Sequence, residues 1–143
     1  MAVLARYSAD QVIAVICGIR LTEPGPDTFI KIERNEDGFT LKPGAFGDGT
    51  RSRNLNHSGK ITITVMATSA MNTLLEALYA ADELAPNGVL LPSLVKDNNG
   101  NALWMAKESW LTKPAATEGA KEVPTREWVA ECLELLPPVP TAV

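Results

Sequence analysis

The sequence predicts a mainly β protein, a barrel or sandwich, with one α-helix packed against it. Three observations carry this. Short apolar runs recur between turn signals; one segment, Lys60 to Ala67, alternates strictly between polar and apolar residues; and only one stretch has helical spacing over several turns. With 143 residues, 45% hydrophobic and 21% charged, the chain has the size and composition of a single globular domain. We take residues 1–136 as that domain and 137–143 as a Pro-rich tail.

Val3 to Tyr7 reads as a short first strand, and Ser8-Ala9-Asp10 as a turn. Gln11 to Leu21 carries β-branched residues on both faces, as in a strand covered on both sides. Thr22 to Asp27, with two prolines and a glycine, breaks the chain. Thr28 to Arg34 alternates, with Ile30 and Ile32 on one face and Lys31 and Glu33 on the other. Asp37-Gly38 has the composition of a type I′ turn, so Phe39 to Leu41 is expected to return along that strand.

A glycine-rich loop follows, Pro43 to Gly49, and then a charged arm, Thr50 to Asn56. His57-Ser58-Gly59 reads as a turn into the alternating strand, making Arg51 to Ala67 a hairpin. Ala70 to Leu84 is the helix. Ser69 is its N-cap, since a serine hydroxyl accepts from an orphan N–H of the first turn. Met71, Leu74, Leu75, Leu78 and Tyr79 form its apolar face, and Pro86-Asn87-Gly88 ends it. Val89 to Lys96 and Asn101 to Thr112 form a strand pair joined by Asp97-Asn98-Asn99-Gly100. Lys113 to Pro124 is a loop. Arg126 to Leu136 is a last strand, with a helical reading also open, and the three tryptophans are read as core anchors.

The chemistry-bearing residues are few. The single histidine, His57, sits in a polar turn, and no G-x-S-x-G elbow accompanies it, so a catalytic triad is not supported. Cys17 and Cys132 lie in apolar runs and read as two reduced core thiols. With one histidine they cannot supply a zinc site. Asp97 to Asn101 lacks the spacing of a calcium loop. Gly44, Gly47 and Gly49 are followed by a charged strand rather than a helix, which removes the geometry of a phosphate loop. The acid pairs Glu36-Asp37 and Asp82-Glu83 read as solvated surface. No cofactor, metal site or catalytic residue is assigned. The net charge of −4 argues against a nucleic-acid-binding face. No segment approaches the roughly 20 apolar residues of a membrane helix, and no secretory signal is visible.

The order of fragments is informative. Gly44-Ala45-Phe46-Gly47-Asp48-Gly49, Arg51-Ser52-x-Asn54, Ser58-Gly59-x-Ile61-Thr62-Ile63-Thr64 and Thr68-Ser69-Ala70-Met71-Asn72-x-Leu74-Leu75 succeed one another. Asp97-x-x-Gly100, Trp110-Leu111 before Lys113-Pro114, and Arg126-Glu127-Trp128 follow. This order resembles the tail tube proteins of contractile-tailed bacteriophages, whose fold is shared by the ring proteins of type VI secretion. The resemblance implies a small β domain with a flanking helix. Six copies would close into a ring, their inner strands joined into one barrel around a channel, and rings would stack into a tube. It implies the chain itself as first partner, a sheath protein outside the tube, and a tape measure protein and then DNA inside. Baseplate and terminator proteins would sit at the ends, with no membrane contact by this chain. The protein would be made in the host cytoplasm and end in the virion.

Residue patterns give this reading physical content. Open strand borders are a liability that ring closure removes. Lys60, Thr62 and Thr64 form a polar face opposite Ile61, Ile63 and Val65, which is the two-sided character of a channel-lining strand. Leu41 to Asn56 is expected to be mobile in the monomer and to order against the next ring. Phe46 would be its apolar anchor, Arg51 and Arg53 its polar contacts, and Lys42, Asp48 and Asn54 further contact residues. Two other readings remain: a terminator, baseplate or secretion-type ring protein of the same fold, and a small ligand-binding β-barrel.

Overall fold

In the computed structural model, which describes residues 4–98 and 102–136, the chain enters its main sheet at β1 (Val12–Ile16). A single strand was expected over Gln11 to Leu21, but the chain reverses at Cys17-Gly18 and returns as β2 (Ile19–Arg20), with Ile16 opposite Ile19. Both turn residues have positive φ, 50° and 80°, the pattern that a two-residue hairpin of right-handed twist requires. A β-like residue run concealed the turn because a cysteine supplied one of its two positions. The expected strand at the N-terminus is not formed: Leu4 to Tyr7 carry no strand pairing, and Val3 lies outside the described residues.

The next strands are β3 (Ile30–Arg34), β4 (Phe39–Pro43), β5 (Gly49–Arg53) and β6 (Gly59–Met66). Their pairing corrects the expected local hairpins. β3 pairs with β6, and β4 pairs with β5. Asp37-Gly38 is therefore not a return turn, and neither residue has a positive φ, which a type I′ turn demands at both positions. His57-Ser58-Gly59 is not a turn either, since the chain runs straight through it from β5 into β6.

Helix α1 (Ala70–Leu84) follows β6 directly. Ser69 caps it: Ser69 Oγ accepts from the Met71 N–H at 3.2 Å and donates to the Thr22 carbonyl at 2.9 Å. Met71 and Leu75 are buried, whereas Leu74, assigned to the same apolar face, is 55% exposed. The remaining strands are β7 (Leu91–Asp97), β8 (Ala102–Leu111), β9 (Thr125–Cys132) and β10 (Leu135–Leu136). β7 and β8 pair antiparallel as expected, and their connecting turn falls largely on residues outside the described ones. β9 and β10 share one register against β8, with Cys132 opposite Ser109 and Leu135 opposite Ala106, so β10 continues β9 after a break at Leu133-Glu134. That excludes a helix over this segment.

The strand order in the sheet is β2-β1-β7-β8-β9-β6-β3, with all described pairings antiparallel. Its inner face gathers Ile16, Ile61, Ile63, Val65, Trp128 and Leu135, all essentially without solvent contact, and α1 adds Met71 and Leu75. Of the three tryptophans, only Trp128 is fully buried; Trp104 and Trp110 are half-buried. Leu133, within the segment expected as the last strand, is 68% exposed. A polar seam crosses the core. The Cys17 N–H donates to Ser93 Oγ at 3.0 Å, and Ser93 and Ser109 hydroxyls lie 2.6 Å apart. Ser109 in turn donates to the Leu91 carbonyl, so the buried hydroxyls are satisfied.

Candidate assembly site

The most distinctive surface feature is built from β3 to β6. Arg34 lies opposite Gly59 at the end of the sheet, and Phe39 lies opposite Arg53 just beyond it. Between these pairs, four residues (35–38) face five (54–58), so one extra residue is accommodated on the second strand. The four strands thus form one long antiparallel hairpin with a bulge at the point where it leaves the sheet. The outer part, β4 and β5, is an arm whose residues 39–53 are all exposed.

The expectation of a mobile loop over Leu41 to Asn56 is corrected by this pairing. The glycine-rich segment is only the arm's tip: Pro43 lies opposite Gly49, the Gly44 N–H donates to the Asp48 carbonyl, and Gly47 has a φ of 88°. Glycine is suited to that position because it has no Cβ to clash in the left-handed region.

The arm's root is tied down. The Arg34 guanidinium donates twice to the Leu135 carbonyl, at 2.9 and 3.2 Å. The Leu135 N–H donates to the His57 carbonyl at 2.8 Å, and the Asn35 N–H to the Ser58 carbonyl at 3.0 Å. Asn54 and Asn56 side-chain amides both donate to Glu36 Oε2, at 2.8 and 3.1 Å. These bonds hold the Glu36 carboxyl below its usual range by favouring its charged form.

Register sorts the arm's side chains. Phe39 faces Arg53 and Leu41 faces Arg51, so these four share one face, while Thr40, Lys42, Thr50 and Ser52 share the other. The Arg51 guanidinium carbon stacks 4.4 Å from the Phe39 ring centroid, a cation–π arrangement. Phe39 is 54% exposed, Leu41 71% and Phe46 at the tip 100%. Phe39 and Leu41 went unrecognised from sequence, although the paired patterns Phe-x-Leu and Arg-x-Arg carried the signal. Of the residues expected to make contacts, Lys42, Asp48, Arg51 and Arg53 lie exposed on the arm, whereas Asn54 spends its side chain at the root.

Lys60, Thr62 and Thr64 lie half-buried on the outer face of β6. Lys60 is flanked by Glu33 on β3 and Glu131 on β9, and Thr64 by Glu127. The outer face around β6 therefore mixes both signs of charge. Among the described residues, no three His, Cys, Asp or Glu side chains lie where they could share a metal ion, and no helix is long and apolar enough to cross a membrane.

A family model for the bacteriophage PhiTE tail tube protein matches residues 5–136. The chain belongs to that tail tube family. It is also 31% identical, over 130 residues, to the structural protein ORF10 of Pseudomonas phage KPP10, covering 86% of this chain and 75% of that protein. Solved structures agree on the fold at low identity. The PVC sheath/tube terminator of an extracellular contractile injection system, in its extended state, superposes with a TM-score of 0.61 at 10% identity, over 94% of this chain and 98% of the other. The tube-terminating cap of the anti-feeding prophage gives 0.58 at 11%, over 95% and 93%. A chain of the PVC sheath–tube complex gives 0.59 at 8%, over 92% and 90%. The tail tube family member described here is thus a phage structural protein of the fold used by contractile injection systems.

Proposed function

We propose that this chain builds the inner tail tube of a contractile injection machine, by closing into hexameric rings that stack around a channel for DNA. The observation that carries the reading is the arm: a paired, firmly rooted hairpin that exposes two phenylalanines, a leucine and two arginines to solvent has no use in an isolated monomer. The sheet also ends in strand borders at β3 and at β1–β2, open edges of the kind that contact with further copies of the chain covers. The polar outer face of β6, with Lys60, Thr62 and Thr64, is suited to line the bore. A sheath protein outside and tape measure protein and DNA inside are its partners in this reading, with baseplate and terminator proteins at the tube ends. No enzymatic activity is assigned.

Negative-stain microscopy of the concentrated protein tests this, with long hollow tubes expected. A second reading is a tube terminator, favoured by the fact that two of the three solved structures above are terminators with TM-scores on either side of the sheath–tube chain. Terminators form one ring, so isolated rings that never stack would select that reading. A protein that stays monomeric at every concentration would exclude both.

A further inference from the structure

The arm has a counterpart on the same molecule. A cleft of about 510 Å³ lies between the two borders of the sheet, where β3 approaches β1 and the ends of β7 and β8. Tyr7, Phe29, Ile30 and Trp104 give it apolar walls, and Asp27 and Asp97 border it. No lysine, arginine or histidine lines it. Its volume falls in the range of roughly 300–1,000 Å³ typical of pockets that enclose a ligand group.

Cleft and arm are complementary in three respects. The cleft is apolar with an acidic border; the arm presents Phe46 at its tip and Lys42, Arg51 and Arg53 along its sides, against the single acid Asp48. The cleft flanks the start of β3, whereas the arm leaves its end at Arg34, so the two features sit at opposite ends of one strand. The arm also cannot reach its own cleft. It continues the hairpin away from the sheet for about 30 Å, at about 3.3 Å per residue from Asn35 to Pro43, and every residue from 39 to 53 is exposed.

We propose that the arm tip of one copy docks in the cleft of a copy in the adjacent ring, with Phe46 as the apolar plug and Lys42 and Arg51, the arm's cations nearest the tip, facing Asp27. Knob and socket at opposite ends make a head-to-tail contact, which propagates without limit along an axis. Burial of Phe46 supplies a non-directional attraction, and the opposed charges select the orientation. The inference rests on the assembly reading above and names the surface that receives the arm.

The test uses two single-cysteine additions on separate chains, Ala45→Cys beside the plug and Thr28→Cys at the cleft. Both native cysteines are buried, so they do not interfere. Mixed before assembly and oxidised in the assembled state, the two variants are expected to give a disulfide-linked dimer that neither gives alone. Asp27→Lys is expected to leave rings but abolish stacking, and combining it with Lys42→Glu and Arg51→Glu to restore tubes. Tubes that form without the mixed cross-link, or normal tubes from both Asp27→Lys and Phe46→Asp, would overturn the docking while leaving the tube reading intact. Failure of the unaltered chain to form any ring or tube would overturn both.

Discussion

Leu135 fills the space that a side chain on Gly59 would need. A Cβ on Gly59 would come within 2.6 Å of Leu135 Cδ2 and 2.8 Å of the Glu33 carbonyl oxygen. Leu135 is fully buried, and its own backbone bonds to His57 and accepts from Arg34. The point where β3 and β6 leave the sheet to become the arm is thus closed by a residue from the far end of the chain. Gly59→Ala is expected to lower stability by about 1–3 kcal/mol, the usual cost of forcing extra volume into a packed site, read by urea denaturation. Gly119→Ala, where an added Cβ meets nothing within 4 Å, is expected to stay within about 0.5 kcal/mol of the unaltered chain.

Asn72 joins helix to sheet. Its amide nitrogen donates to the Met66 and Ala67 carbonyls at 3.0 and 3.2 Å, and its oxygen accepts from Trp128 Nε1 at 2.9 Å. Both residues are buried, so truncation strands a buried indole N–H and removes the side-chain donor from the Ala67 carbonyl, while the Met66 carbonyl keeps the Ser69 N–H. Asn72→Ala should cost about 2–4 kcal/mol in thermal or urea unfolding. Replacing Trp128 with Phe strands only the Asn72 oxygen but leaves a cavity in a fully buried site, so it should cost a similar amount.

The arm's root responds to acid. Hydrogen bonds from Asn54 and then Asn56 lower the Glu36 pKa in the folded chain. A depressed carboxyl pKa stabilises above the unfolded value, and that contribution is lost as pH falls through the folded one. Below the ordinary glutamate value of about 4.3, the Asn54 and Asn56 side-chain amide resonances are therefore expected to shift together. Glu36→Gln should remove the pH dependence; amide shifts that titrate unchanged in Glu36→Gln would show that another group is responsible.

Burial pushes both thiols up, with desolvation the largest cause at Cys17 and at Cys132. Thiolate is the reactive form, so a thiol reagent at pH 8 should modify neither residue in the folded protein and both once it is unfolded. Rapid native labelling of either cysteine would contradict the packing described.

Much of the sheet could be read locally. The alternation of Lys60 to Ala67 predicts a strand with one buried face, and Ile61, Ile63 and Val65 are buried while Lys60, Thr62 and Thr64 are not. The helix could be delimited because its signals are local: a serine cap at one end and Pro-Asn-Gly beyond the other. The arm misled for the same reason. Asp37-Gly38 has turn composition, yet the choice between returning along β3 and extending past the sheet depends on contacts with Leu135, about a hundred residues away.

From its sequence alone the chain determines a mainly β fold, one capped helix, the two-faced strand β6 and its kinship with tail tube proteins. Those follow from side-chain periodicity and local hydrogen-bonding chemistry, which act over a few residues. The tertiary structure alone decided that β3 to β6 form one long hairpin, that its outer half stands free as an arm, and that a cleft opens between the sheet's two borders. Strand partners and register are settled by packing between segments distant in sequence, and no local pattern encodes which distant segment arrives.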